Sequence, residues 1–421
     1  MMSVSPPALQ RGPLAGLKVI AVEQAVAVPL CTRHLAEMGA DVVKIERVGS
    51  GDFARHYDTA VHGHSTHFVW LNHGKRSVAL DLADEDGREV LRRLLGDADV
   101  LVSNLAPGSI ERIVDPQELE EVNPRLIHCL VDGYGRGGPY EHRKAYDLLV
   151  QGEAGVTANT GTPERPAKPG VSLADLGAGT YALAGILAAL RERDQDGRGR
   201  RVSVSLFDVV AEWMMPLLLA ERYGGGAPAP QGTHHASIVP YGAFATADGR
   251  TINVAVQNDR QWQRFCQDVI DAPDLLDDPR FATNERRLDH REEVLSRIEK
   301  RLGTLTFDLL GERLDRAGIP WGRLNGLDDV VAHPQLQVRE RWREVELPEL
   351  SGESQMESLA SPLSDLDAHR DRPAVPRLGE HTREVLSSLG YSDERIDQLA
   401  AQGVVGANGP LHRTSGQGVS T

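Results

Sequence analysis

The first 48 residues switch twice between two hydrophobic periods, and this limits the fold more than any other feature. Residues 17–24, LKVIAVEQ, form a short apolar run of strand type. Residues 29–40, PLCTRHLAEMGA, carry helical spacing, with Pro29 suited to a first turn and Gly39 to a C-terminal stop. Residues 41–48, DVVKIERV, return to strand. Strand, helix and strand in this order predict a βαβ unit with a right-handed crossover between parallel strands. The alternation repeats in SVALDL (77–82), the amphipathic DEDGREVLRRLLGDA (84–98) and DVLVSN (99–104), and NPRLIHCLVDGYG (123–135) adds another strand. The expectation is an α/β sheet domain.

The turn after the first strand reads VEQAVAVPL and holds no GxGxxG loop, so a standard dinucleotide site is not expected. A Gly/Pro-rich stretch at 224–237 reads as a linker. Beyond it, two strands joined by Asp248-Gly249 and then a helix begin a smaller α/β module. Two closing helices follow within 372–405, and the polar tail 411–421 is expected to be disordered.

The chain has 421 residues and a formal net charge of -15, from 46 basic and 61 acidic residues. That balance argues against nucleic-acid and anionic-membrane partners, which attract basic surfaces. Cys31, Cys129 and Cys266 are odd in number and far apart, so neither a disulfide framework nor a metal spacing is expected. Lys18 and Glu23 interrupt the N-terminal apolar stretch, so no signal peptide is read there. The apolar run after Asp175 meets Arg191 before reaching bilayer-spanning length. A cytoplasmic protein is expected.

Several groups invite a chemical reading. His62, His64 and His67 lie close together, as do His234 and His235, but neither set has the acidic or cysteine partners of a metal site, and none is expected. Arg47, Lys75, Arg76, Arg112 and Lys144 fall near predicted strand ends, where an open α/β sheet presents its ligand. They read either as a pocket for a polyanion such as a nucleotide phosphate or as ordinary surface charge. Asp175, in SLADLGAG, reads either as a helix N-cap or as a nucleophile. Gly177 and Gly179 follow it, and free N–H groups at a helix start would stabilise an oxyanion.

Seven segments recur together in one known family: PLAGLKVIAVEQ, HLAEMGADVVKIERVGSGD, LNHGKRSVALDL, LVSNLAPGSIERI, KAYDLLVQGEAG, VSLADLGAGTYALAGILAAL and LGEHTREVLSSLGYSDERI. They span nearly the whole chain, which resembles the class III coenzyme A transferases, relatives of the α-methylacyl-CoA racemases. The resemblance implies a large Rossmann-like domain built from N- and C-terminal parts (12–222 and 345–410), joined through linkers at 223–231 and 336–344 to a small α/β domain at 232–335. It implies an interlocked homodimer. It also implies that Asp175 is the catalytic aspartate, carrying CoA as an aspartyl thioester after attack on a donor acyl-CoA. CoA would then be a substrate rather than a resident cofactor, placed near Arg47, Lys75, Arg76, Asn104, Leu105, Arg112 and Lys144.

The racemase branch has a histidine followed by an acid where this chain has Tyr146-Asp147. Racemisation needs an acid and a base titrating near working pH, whereas an unperturbed tyrosine has a pKa of ~10. Tyr146 therefore favours the transferase branch, as a residue that orients substrate. The glycine run that closes over the site in formyl-CoA transferase is replaced here by PQGTHHASIVPY, so His234 and His235 are expected to contact a second substrate carboxylate. The expected reaction moves CoA from succinyl-CoA to a dicarboxylic acid such as glutarate, mesaconate, itaconate or citramalate. The alternatives are racemisation of a 2-methylacyl-CoA, an intramolecular CoA shift within one dicarboxylate, or CoA binding without catalysis.

Overall fold

The computed structural model describes residues 12–349, 352, 354–363, 366 and 373–406. The chain forms two compact units. The first takes the residues up to Ala154, Val171–Glu212 and those from Glu340 on; the second takes Gly155–Gly170 and Trp213–Arg339. The tail 411–421 lies outside the described residues.

The first unit is built on a six-stranded sheet. Its elements run β1 (Lys18–Val22), α1 (Ala27–Glu37), β2 (Asp41–Glu46), α2 (Thr66–Asn72), β3 (Arg76–Ala79), α3 (Glu85–Gly96) and β4 (Val100–Ser103). Then follow α4 (Ser109–Ile113), α5 (Pro116–Val122), β5 (Ile127–Asp132), α6 (Asp147–Glu153), α7 (Leu173–Asp196), β6 (Arg201–Ser205) and α8 (Leu206–Trp213). The strands lie in the order β3-β2-β1-β4-β5-β6, and every pairing is parallel. Strand order therefore reverses between β1 and β4, and the carboxyl ends of those two strands frame the crevice where such sheets bind ligands.

Local signals account for the elements. Gly39 takes a left-handed φ of 99° and ends α1, as expected. Asp84 caps α3 by accepting the Asp86 N–H, and Val90, Leu91, Leu94 and Leu95 bury one face of that helix. The expected strand 17–24 is shorter in the fold, because Glu23 and Gln24 turn out of the sheet into side-chain networks. Strand β6, which sequence reading missed, completes the sheet beside β5.

The C-terminal segment packs on the edge strand of this sheet. Ser77 N–H reaches His381 Nδ1 at 3.2 Å, and Ala79 N–H reaches Thr382 Oγ1 at 3.1 Å. The helices Thr382–Ser388 and Asp393–Ala401 contribute Val385, Leu386, Ile396 and Leu399 to one core with Ile20, Val43, Val78 and Leu91. The first unit is thus assembled from both ends of the chain.

The second unit contains α9 (Met215–Tyr223) and an antiparallel sheet of β7 (Tyr241–Ala245), β8 (Thr251–Ala255) and β9 (Trp321–Arg323), in the order β9-β8-β7. The expected turn at Asp248-Gly249 joins β7 to β8. Residues 155–170 and 213–222, expected in the large domain, group with this unit. The physical tie is visible at Gly232, whose N–H donates to Gly161 O at 2.6 Å. The expected linker 223–231 begins with the last residue of α9.

By length and composition α7 is apolar enough to cross a membrane, which corrects the expectation that Arg191 cuts it short; 50% of its apolar stretch is buried inside the protein. Arg193, near its end, is held by Asp99 and two backbone carbonyls.

Candidate active site around Asp175

Helix α7 starts with an unusual cap. Ser172 occupies the N-cap position but makes no side-chain cap hydrogen bond. Asp147, the first residue of α6, supplies the cap from outside the helix. Its Oδ1 accepts the N–H of Ala174 at 2.8 Å and of Asp175 at 3.3 Å. Its Oδ2 accepts Nε2 of Gln151, one turn along α6, at 2.6 Å. The remaining early amides are also paired, Leu173 N–H with Val171 O and Leu176 N–H with Ser172 O, each at 2.9 Å.

Asp175 is therefore the third residue of the helix and not its cap. Its carboxylate accepts no hydrogen bond among the described residues and is partly buried. Burial and the nearby Asp147 carboxylate push its pKa up to about 7. A partly buried acid facing a like charge without a compensating donor is an arrangement that folding alone does not favour.

Two tyrosines share this neighbourhood. Tyr146 precedes α6 and is exposed. The Tyr57 phenol is raised to about 12 by partial burial and by the nearby charges of Asp52 and Asp175, with Tyr146 adding to the effect. Its ring stands edge-on to His67 at 5.5 Å, and His67 packs in turn against Trp70.

The glycines after Asp175 do not supply an oxyanion hole. Gly177 and Gly179 are the fifth and seventh residues of α7, where N–H groups belong to the helical ladder. Gly179 serves packing instead: a Cβ there would stand 2.3 Å from Ala27 O on α1.

Behind β1 lies a closed ion network. The side chains of Glu23, Lys44, Lys75 and Asp52 are 0% exposed. Lys44 reaches Asp52 at 2.8 Å and Glu23 at 3.2 Å, and Lys75 reaches Glu23 at 2.8 Å and Pro29 O at 3.0 Å. Burial raises the Glu23 pKa, but the two ammonium groups outweigh it and hold the carboxyl below its usual range. Asp52 also accepts the N–H of Ala25, which has a φ of 62°, so the network fixes the turn leaving β1.

The expected CoA-binding residues separate into two groups. Arg47 follows β2, Arg112 lies on α4 after β4, and Lys144 follows β5; all three are exposed at the carboxyl side of the sheet. Arg112 Nη2 donates to Ser109 Oγ at 2.9 Å. Asn104 crosses the switch point, accepting the Gln24 N–H at 2.9 Å and donating to Gln24 O at 2.8 Å. Leu105 beside it packs on the core.

Lys75 and Arg76 differ from these because both stand at the entry of β3 rather than beyond a strand's end. Lys75 is sealed in the ion network, and Arg76 pairs with Asp41 and Glu384. Neither is the open cation that spacing suggested.

His234 and His235 lie in the second unit. The His234 ring packs edge-on against Phe244 at 5.2 Å, and burial lowers its pKa. His235 stacks on Tyr241 at 5.1 Å, and its Nδ1 accepts the Ser237 N–H. His64 donates from Nε2 to Pro348 O at 2.7 Å, and His67 packs between Tyr57 and Trp70. Among the described residues, no group of three or more His, Cys, Asp or Glu is arranged to hold a metal ion.

Sequence reading missed Asp147, Gln151 and Tyr57. A signal for the first two was present: an acid at a helix start with an amide four residues on makes an i,i+4 pair. Tyr57 carries no local signal, since only the tertiary fold brings it near Asp175.

The family model for CoA-transferase family III matches residues 14–382. The chain is 31% identical over 398 residues to the human succinyl-CoA:glutarate CoA-transferase, covering 93% of this chain and 90% of the relative. It is 33% identical over 382 residues to the acetyl-CoA:oxalate CoA-transferase of Acetobacter aceti, covering 90% and 96%. A CAIB/BAIF family protein from Brucella suis superposes with a TM-score of 0.77 at 33% identity, covering 90% of this chain and all of the other.

Proposed function

Because the chain belongs to CoA-transferase family III and is a CoA-transferase, we propose that it moves CoA from succinyl-CoA to a dicarboxylic acid through an aspartyl-CoA thioester on Asp175. The observation that carries this reading is the Asp175 carboxylate, held in the first turn of a long, half-buried helix with no hydrogen-bond donor on it among the described residues. The human relative, named for succinyl-CoA and glutarate, supports the donor and the acceptor class.

The chemistry proceeds in two matched halves. One Asp175 oxygen attacks the thioester carbonyl, the C–S bond breaks, and a mixed anhydride and CoA thiolate result. The thiolate attacks the aspartyl carbonyl, releasing succinate and leaving aspartyl-CoA. The acceptor carboxylate attacks that thioester and expels the thiolate, which then attacks the new acyl carbonyl and restores Asp175. No net proton is consumed. Covalent catalysis divides one difficult exchange into steps with good leaving groups, and the rigid helix limits access of water to the activated acid.

In this reading Arg47, Arg112 and Lys144 hold the CoA phosphates, with Asn104 and Leu105 along the nucleotide path. Tyr146 orients substrate at Asp175, while Gly177 keeps the backbone close. CoA comes and goes as substrate, with no permanent cofactor. The reading includes a cytoplasmic interlocked homodimer. Free, buried Cys31, Cys129 and Cys266 support a reducing compartment. Helix α9 buries none of its residues in a single chain despite Leu217, Leu218 and Leu219, which supports a covering partner.

Incubation with succinyl-CoA, borohydride reduction and peptide mass spectrometry test the central claim. Modification is expected on Asp175 alone, and Asp175→Ala should abolish transfer. An active enzyme with Asp175 unmodified overturns the reading. A panel of dicarboxylic and monocarboxylic acceptors against labelled succinyl-CoA then checks the acceptor class.

A further inference from the structure

The contact that most distinguishes this site lies between two acids on different helices. Asp147 Oδ1 is fixed by two amides of α7, and Oδ2 is fixed by Gln151, which is 0% exposed. All carboxylate oxygens of Asp147 thus accept hydrogen bonds, and the helix terminus further favours its negative charge. Asp175 has the opposite surroundings. The amides that could have stabilised it are already taken, and the fixed charge nearest to it has its own sign.

We infer that Asp147, held by Gln151, is a positioning residue that keeps the Asp175 carboxylate undersolvated and reactive by occupying the α7 amides and presenting a fixed negative charge beside it. The inference rests on Asp175 being the nucleophile. The division of labour is chemical: one carboxylate is made inert by donors, so the other is left to react.

Other titratable groups around Asp175 do not duplicate this effect. Tyr57 and Tyr146 face the same space, and the raised Tyr57 phenol stays neutral through the working range. The strands behind α7 bring His128, Asp132 and Arg201, whose charges act on one another and on Glu111, Arg136 and Asp208. Helix α1, packed on the other side, carries Arg33, His34 and Glu37, which pair among themselves and with His73. The raised Asp175 pKa agrees with the geometry, since its second cause is Asp147.

The test uses the full chain and compares pH profiles of the acylation step, read as CoA-dependent labelling of Asp175. Asp147→Asn keeps an acceptor oxygen for both amides while deleting the charge. Its half-maximal pH should fall by about one unit or more, because a like charge no longer opposes ionisation. Its KM for acyl-CoA should stay within roughly threefold of wild type. Asp147→Ser, a shorter uncharged cap, should move the limb in the same direction. Gln151→Leu leaves both charges and loosens the holder; kcat should fall while the limb stays close to wild type.

An unmoved limb in folded Asp147→Asn and Asp147→Ser overturns the inference, as does an equal shift in Gln151→Leu. Failure to label Asp175 in wild type overturns the proposed function itself. Labelling with an unmoved limb removes only the role of Asp147.

Discussion

Glu23 and Lys75 meet at 2.8 Å in the interior, 52 residues apart in sequence, with neither side chain exposed. Lys44 and Asp52 complete a set of two acids and two bases, in which each carboxylate meets an ammonium. Removing one member leaves a buried charge without its counterpart, which typically costs about 3–5 kcal/mol. Glu23→Gln should lose stability on that scale in urea unfolding at neutral pH. A loss under about 1 kcal/mol would show the network to be no more than surface-like pairing.

Asp175 should trade stability for reactivity. Its pKa rises from 3.8 to about 7 in the folded chain. Between these values the folded state holds a proton that the unfolded state has released, so stability falls as pH rises through this window. Asp175→Asn should therefore be more stable than wild type at pH 8, by at most about 4 kcal/mol for a shift of this size. Near pH 3.5 the two should coincide. Thermal melts at both pH values check this, and equal melting at pH 8 would contradict it.

Transfer activity of the wild-type chain should rise with pH through about 7, as Asp175 loses its proton. The measurement is single-turnover labelling of Asp175 between pH 5 and pH 9, with flat labelling across that range as the contrary result.

Gly179 and Gly152 should respond oppositely to alanine. A Cβ at Gly179 would lie 2.3 Å from Ala27 O and 3.2 Å from Leu30 Cβ, so α1 and α7 would have to separate. Overpacking of this kind costs about 1–3 kcal/mol. Gly152, inside α6, has open space at the same position, and alanine there should be neutral or stabilising by up to about 1 kcal/mol. Denaturant midpoints of the two variants make the comparison.

Arg47→Ala and Arg112→Ala should each raise KM for acyl-CoA by about tenfold, the scale of one charge-assisted hydrogen bond, with kcat largely kept. The wild-type KM should also rise with salt more steeply than either variant's, which initial rates at varied ionic strength would show.

The alternation of periods in residues 17–104 makes the parallel sheet legible because each buried strand is a short apolar run set between helical segments, with α1 buried throughout and α3 amphipathic. Strand β6 escapes that logic. Its RVSVS segment is an edge strand with alternating partial exposure, and it runs straight into α8. Asp175 is visible as a lone acid ahead of an apolar helix, yet its true place in the helix is not, because its cap comes from Asp147 in another element. Lys75 and Arg76 look like open cations in sequence, and only Glu23, Asp41 and Glu384 reveal their occupation. Contacts between distant segments are what local pattern cannot convey. The same limit hides Tyr57.

The docking of residues 377–406 against β3 has a consequence for biosynthesis. Ala79 waits for Thr382, 303 positions later in the chain, and Ser77 for the Gly379 turn, 302 positions later. At translation rates of ~5–20 residues per second, that interval is roughly 15–60 s. Throughout it, the nascent first unit exposes the apolar edge around Val78 and Leu80 that Val385 and Leu386 will later cover. A ribosome-bound chain stalled before residue 377 should therefore be a chaperone client even though every strand of its main sheet has already been made.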